Sequence, residues 1–205
     1  MEKIIRLCMF DMGGVVAKHS DSSLEHLLLR DFGLTDYENF SSLDPRLPAL
    51  LAEHSKASID EDEMWVQFTH MTGIVVPKHN ESLWGKYFKP ELDEPVISII
   101  EELKERGYRV VCATNTEAAH YEHHRDAGQY DIFDAVYPSL KLGEVKPDQA
   151  FFEAILSSEQ MKPEEVLFVD DLFDNCEAAS NLGITAIVYK DPVELRWQLA
   201  SMDLI

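Results

Sequence analysis

The sequence predicts an α/β fold, a doubly wound and mostly parallel sheet with helices on both faces and an inserted helical cap. Two observations carry this expectation. From residue 94 onward, short apolar runs alternate with stretches of helical periodicity, and such alternation implies parallel strands joined by helical crossovers. Before residue 94, by contrast, one helical pattern follows another with no convincing strand between them. The predicted division is a core of residues 1–16 and 94–205 and a helical cap of residues 17–93.

Residues 4–10, "IIRLCMF", read as a fully buried strand, since both faces of a parallel sheet are covered. In the insertion, "SSLEHLLLRDFG", "DPRLPALLAEHS", "DEDEMWVQFTHM" and "NESLWGKYFK" read as three or four short helices. Their aromatic residues Trp65, Phe68, Trp84, Tyr87 and Phe88 are enough for a small core and for lining a substrate pocket. In "EPVISIIEELKERG", Ile97, Ile100 and Leu103 recur at helical spacing and Gly107 fits the cap that ends the helix. "YRVVCAT", 108–114, is the second strand, followed by a helix over "EAAHYEHHRDAG". That helix sets His120 and His124 four apart, a spacing that also suits a metal pair; its polar composition assigns them to a solvated face. A short strand "FDAVYPS", a helix "PDQAFFEAILSSE" with Asp148 near its start, strand "EVLFVD", helix "NCEAASNLG", strand "ITAIVY" and helix "PVELRWQLASM" complete the core.

The composition narrows the partners. Among 205 residues, 45% are hydrophobic and 27% charged, with a net charge of −20. Those proportions suit a soluble globular protein. The negative charge argues against nucleic acid and anionic membranes, whose phosphates demand Lys and Arg. A small phosphorylated substrate is still compatible, because screening acts over about 8–10 Å and a local cation can dominate inside a cleft. Cys8, Cys112 and Cys176 are odd in number and widely spaced, which reads as buried thiols in a reducing compartment. With no signal peptide or membrane span expected, the predicted location is cytoplasmic.

Functional groups of parallel sheets gather at the carboxyl ends of the strands. The first strand ends at Asp11, in "MFDMGGVV"; the second at Thr114-Asn115; "GEVKPD", with Lys146, follows the third; the fourth ends in Asp170-Asp171. Singly, each has a bland reading as a helix cap or a surface lysine. Parallel topology brings all four to one edge. Three carboxylates in one cleft repel one another unless a cation is present, and hard oxygen donors without His or Cys suit Mg²⁺. Lys146 adds a fixed positive charge, while Thr114 and Asn115 offer donors to an oxyanion. The set reads as a phosphoryl-transfer site with an Asp nucleophile.

In this order, "MFDMGGVV", "VCATN", "GEVKPD" and "VLFVDDLFDN" resemble the four motifs of the haloacid dehalogenase-like (HAD) superfamily. The resemblance spans most of the chain, and the insertion lies where similar members carry a small helical cap. Nearest is the branch holding phosphatases of small phosphorylated metabolites and the phosphatase domain of soluble epoxide hydrolase. The resemblance implies a Rossmann-like core in which Asp11 is the nucleophile and forms an aspartyl phosphate. It implies that Thr114 binds the phosphoryl group with Asn115 beside it, and that Lys146 steadies Asp11 and the phosphate. Mg²⁺ would be held by Asp11, Asp170, Asp171 and the backbone carbonyl of Gly13, with Asn175 supporting them from behind. The implied partner is a small phosphorylated metabolite, sugar phosphates included.

Gly13 departs from that pattern. Typical phosphatases of the family carry a second Asp here, which protonates the leaving group and then activates water; such catalysis is worth roughly 10²–10⁴-fold. Dehalogenases also lack this acid, but they use no metal and lack the acidic pair, so Asp170-Asp171 favours a phosphatase. Phosphonoacetaldehyde hydrolases have a small residue there and a cap lysine that forms a Schiff base. Lys56 is the nearest equivalent and reads as a surface lysine. His19 is a possible substitute proton donor, though a solvent-exposed histidine is the plainer reading. The alternative to an enzyme is a protein that binds metal and ligand without efficient turnover.

Overall fold

The computed structural model describes residues 5–18 and 23–205. Five strands, β1 (Leu7–Phe10), β2 (Arg109–Thr114), β3 (Ala135–Pro138), β4 (Val166–Asp170) and β5 (Thr185–Val188), form one parallel sheet in the order β3-β2-β1-β4-β5. β1 thus lies at the centre, with β2 and β4 as its neighbours. The order reverses on either side of it, the point at which open α/β sheets place their ligands.

Successive strand residues face opposite sides, and both sides are covered. On one, Cys8, Phe10, Val110, Cys112, Leu167 and Val169 pack against Ile99, Ile100 and Leu103 of helix α6 (Glu94–Glu105) and Leu195 and Leu199 of α11 (Pro192–Ser201). On the other, Leu7, Met9, Val111, Ala113 and Phe168 meet Phe151, Phe152 and Ile155 of α9 (Gln149–Glu159) and Cys176 and Ala179 of α10 (Phe173–Asn181). Helix α7 (Ala118–Asp126) follows β2, and a single turn, α8 (Ser139–Leu142), follows β3. Cys8, Cys112 and Cys176 are free and buried, as the sequence suggested. No helix among the described residues is long and apolar enough to cross a membrane.

Among the described residues, five helices lie between β1 and α6: α1 (Leu24–Asp31), α2 (Phe40–Leu43), α3 (Leu47–Ser55), α4 (Glu61–Thr72) and α5 (Leu83–Lys86). They enclose a separate cluster built on Leu28, Phe40, Leu47, Trp65, Phe68 and Trp84. Several aromatic pairs in it meet edge to face, as at Phe32–Trp65, with ring centroids 5.7 Å apart at 89°, a favourable quadrupole geometry, while Trp65 and Trp84 stack. The chain enters and leaves this unit side by side. The amide of Lys18 donates to the carbonyl of Glu91 at 2.8 Å and that of Asp93 to Val16 at 2.8 Å, with Ala17 bridging Leu92 in antiparallel fashion.

Candidate active site

Asp11 stands directly after the central strand, and the chain then turns back sharply. The amide of Gly14 donates to the carbonyl of Ala17 at 2.7 Å, and that of Ala17 to Met12 at 2.7 Å. Gly14 holds φ of +76°, which glycine adopts at no steric cost. Gly13 is different. Its φ is not left-handed, it is exposed, and a Cβ built on it meets nothing within 4 Å. Only one of the two glycines is demanded by the backbone.

Lys146 arrives from the loop between α8 and α9 and is buried between two carboxylates. Its Nζ lies 2.8 Å from Asp11 Oδ1 and 2.7 Å from Asp170 Oδ2. Burial works against its charge, yet the two carboxylates outweigh that cost and hold its pKa above the ordinary lysine value. Asp11 has the opposite balance. Burial pushes its carboxyl up, Lys146 pulls it down and Asp170 pushes it up, and the balance leaves it at about 6. The amide of Met12 also donates to Asp11 Oδ1, at 2.7 Å.

Asp170 is wholly buried and firmly held. The Nδ2 of Asn175 donates to its two oxygens at 3.0 and 3.1 Å, and the amide of Leu172 donates to Oδ1 at 2.9 Å. Asp11, Asp170 and Asp171 each offer an oxygen within 4.8 Å of the others. The donor set is all carboxylate, and Lys146 offsets one of its three charges. That chemistry fits a hard divalent cation such as Mg²⁺.

Thr114 is buried at the end of β2, its hydroxyl 3.4 Å from the carbonyl of Asn115. Asn115 itself faces the Lys146 loop. Its Nδ2 donates to the carbonyl of Lys146 at 2.9 Å, and its Oδ1 accepts from the amide of Lys146 at 2.9 Å. The side chain that the sequence suggested for an oxyanion therefore fixes the loop that carries the lysine. Ser139, fully buried and unsuspected from the sequence, accepts from the amide of Thr116 at 2.9 Å. Its hydroxyl lies 2.7 Å from the carbonyl of Ser55 and 3.0 Å from that of Thr116, tying the β2 loop to the end of α3.

The expectation of a solvated histidine face on α7 is overturned. His124 is buried and bonded to Gln129 Oε1 at 2.6 Å, and burial draws its pKa down to about 4. His120 stacks on Phe88 with centroids 3.5 Å apart. Its Nδ1 lies 3.1 Å from Glu117 Oε2 and its Nε2 lies 3.0 Å from the carbonyl of Trp84. The polar composition of α7 misled because part of its cover, Trp84 and Phe88, comes from the insertion. His120→Leu would remove a hydrogen-bond partner of the buried Glu117 side chain and should lower stability by about 1–3 kcal/mol in urea unfolding. The double variant with Glu117→Leu should lose less than the two single losses added together.

Lys56 is a fifth exposed and pairs with Asp148 Oδ2 at 3.3 Å, joining the insertion to α9. Trp65, Phe68 and Trp84 belong to the insertion's own core, whereas Tyr87 and Phe88, with part of Trp84, line a cleft that reaches Gly13. His19 lies outside the described residues.

A doubly wound sheet with a buried lysine between carboxylates at its carboxyl edge defines a Rossmann-like hydrolase. The chain belongs to the family described as haloacid dehalogenase-like hydrolase, whose model matches residues 8–189. It is 25% identical over 199 residues to a sesquiterpene phosphatase of Aspergillus oryzae, covering 96% of each chain. Among solved structures it is similar to a predicted HAD-like family hydrolase of Porphyromonas gingivalis, with a TM-score of 0.75, 23% identity and coverage of 96% of this chain and 98% of that one. It is also similar to a HAD family enzyme of Bacteroides thetaiotaomicron in complex with magnesium and inorganic phosphate, with a TM-score of 0.68, 21% identity and coverage of 91% and 94%.

Proposed function

We propose that the protein is a Mg²⁺-dependent phosphatase of small phosphorylated molecules, working through an aspartyl phosphate on Asp11. The observation that carries this reading is the buried ammonium of Lys146 held between Asp11 and Asp170, beside a third carboxylate. A halide displacement needs one carboxylate, whereas three crowded acids suit a site that gathers positive charge around a phosphoryl group. The relatives support it: one is a phosphatase, and another holds magnesium with phosphate.

Asp11 is restrained through Oδ1 by Lys146 and the amide of Met12, which leaves the other carboxylate oxygen as the nucleophile. That oxygen forms a bond to phosphorus as the ester P–O bond breaks, and the organic group departs with the electron pair. Water then attacks phosphorus, the bond to Asp11 breaks, and inorganic phosphate leaves with the carboxylate restored. Lys146 keeps a positive charge beside the transferring group in both steps, the preorganised kind that needs no rearrangement during reaction. Asp11, Asp170, Asp171 and the carbonyl of Gly13 would hold the Mg²⁺, which when bound neutralises charge on the phosphate oxygens. Asn115 and Asn175 position Lys146 and Asp170.

Hydrolysis of p-nitrophenyl phosphate measured with Mg²⁺ and with chelator tests the reading, with hydroxylamine to trap the acyl phosphate. Metal-dependent release and a trapped Asp11 adduct are expected. Metal-independent halide release from a 2-haloacid would overturn it. Gly13 favours a second reading, a protein that binds Mg²⁺ and phosphate without efficient turnover; binding with no hydrolysis across alkyl, aryl and acyl phosphates would establish that instead.

A further inference from the structure

We infer that the substrate is a phosphate monoester of a bulky apolar, ring-bearing group with a phenol-type oxygen, a proposal that rests on the phosphatase reading above. A cleft of about 580 Å³ lies between the turn after β1 and the inserted helices, and Gly13 forms part of its lining. Such a volume is that of a small-molecule site. Its walls include Leu24 and Leu27 of α1 and the aromatic run Trp84, Tyr87 and Phe88. Leu27 is half-buried, yet it belongs to none of the three apolar clusters. An apolar side chain left facing a cleft in this way gains from an apolar occupant.

The polar groups of the same lining point to the same conclusion, because most are already committed. Glu25 accepts the amide of Phe40 at 2.7 Å, and Asn39 Oδ1 accepts that of Ser42 at 2.8 Å. His124 is bonded to Gln129, and His120 to Glu117 and the carbonyl of Trp84. The charges of Lys18, Glu38 and Lys89 belong to exposed residues. A sugar brings several hydroxyls, each needing a partner once water is excluded, and unpaired polar groups are costly. An aromatic or polycyclic group needs none and stacks on the aromatic wall.

Gly13 leads independently to the same class. Without an acid at that position, an organic group able to leave as its anion is favoured. A phenol-type oxygen, with pKa about 10, departs far more readily than an alkoxide, whose pKa is close to the roughly 16 of water. One substrate class therefore satisfies both the cleft and the missing proton donor.

The test compares 2-naphthyl, phenyl and acetyl phosphate with glucose 6-phosphate on the Mg²⁺-loaded protein. Naphthyl and phenyl phosphate leave with similar oxygens and differ in apolar area, so naphthyl phosphate should have a KM about tenfold lower. Leu27→Glu should bring the two KM values together, and Leu27→Ala should narrow the gap partway if the glutamate variant fails to fold. Equal KM values in the wild type, with acetyl phosphate turned over, would overturn the substrate class and leave the phosphatase standing. If no compound, acetyl phosphate included, is hydrolysed, the phosphatase reading falls. Calorimetry then decides the cleft: naphthyl phosphate binding at least tenfold tighter than inorganic phosphate supports it, and equal affinity overturns it.

Discussion

Gly13→Asp should raise kcat/KM on a simple alkyl phosphate by roughly 10²–10⁴-fold, the usual worth of general acid–base catalysis. On an aryl phosphate the gain should stay within about tenfold, because a phenolate leaves without help. The backbone permits the change: Gly13 has no left-handed φ, and its Cβ would meet nothing within 4 Å. It also lines the cleft, two residues from Asp11. A carboxyl there would protonate the leaving oxygen and then draw a proton from the attacking water. Gly13→Asn, similar in size without an ionisable proton, should show no such gain. The measurement is a plot of log kcat/KM against leaving-group pKa for both proteins. The slope should flatten in the Asp variant, and an unchanged slope would mean that another group already supplies the proton.

The two adjacent glycines look equivalent in the sequence, and only the dihedral angles separate them. Gly14, at +76°, makes the turn possible, so its lack of a side chain is conformational. At Gly13 the missing side chain is a chemical choice. That distinction turns a departure from a family pattern into a gain-of-activity experiment.

The sheet was legible because its signals are local. Buried runs such as "YRVVCAT" and the spacing of Ile100 and Leu103 in α6 report their burial without reference to the rest of the chain. The one-turn helices α2 and α8 were not legible, because four residues have no periodicity and so short a helix depends on its surroundings. α2 is held by a reciprocal cap between Asn39 and Ser42 and by buried Phe40. The same division runs through the site. Asp11, Lys146, Asp170 and Asp171 could be brought together on paper because parallel topology fixes where strands end. The bond of Asn115 to Lys146, 31 residues away, depends on how two loops of the core pack, and that of His120 to Trp84, 36 residues away, on the insertion packing against the core. No local pattern encodes them. Composition even pointed the wrong way on α7, since a histidine-rich helix reads as wet until the insertion covers it.

Asp11→Asn should lower turnover by at least about 10³-fold, since the variant has no nucleophile, while making the metal-free protein more stable. Asp11, Asp170 and Lys146 together carry one uncompensated negative charge in a buried site, and the substitution neutralises it. An amide oxygen of the same shape can still accept from Lys146 and Met12. The pH dependence has a definite sign. A carboxyl lifted by burial from an ordinary 3.8 to about 6 holds its proton more tightly folded than unfolded. The wild type therefore loses stability as pH rises from about 4 to about 6, and above that range the loss is complete. At pH 8 in chelator, Asp11→Asn should exceed the wild type by about 2–3 kcal/mol in urea unfolding. Its advantage should shrink as pH falls through about 6 and vanish below about 4. Added Mg²⁺ should stabilise the wild type more than the variant, because one of the three carboxylates is gone. A variant less stable than the wild type at pH 8 would mean that the charge of Asp11 holds the fold together through Lys146. The site would then be a structural ion pair first and a catalytic one second.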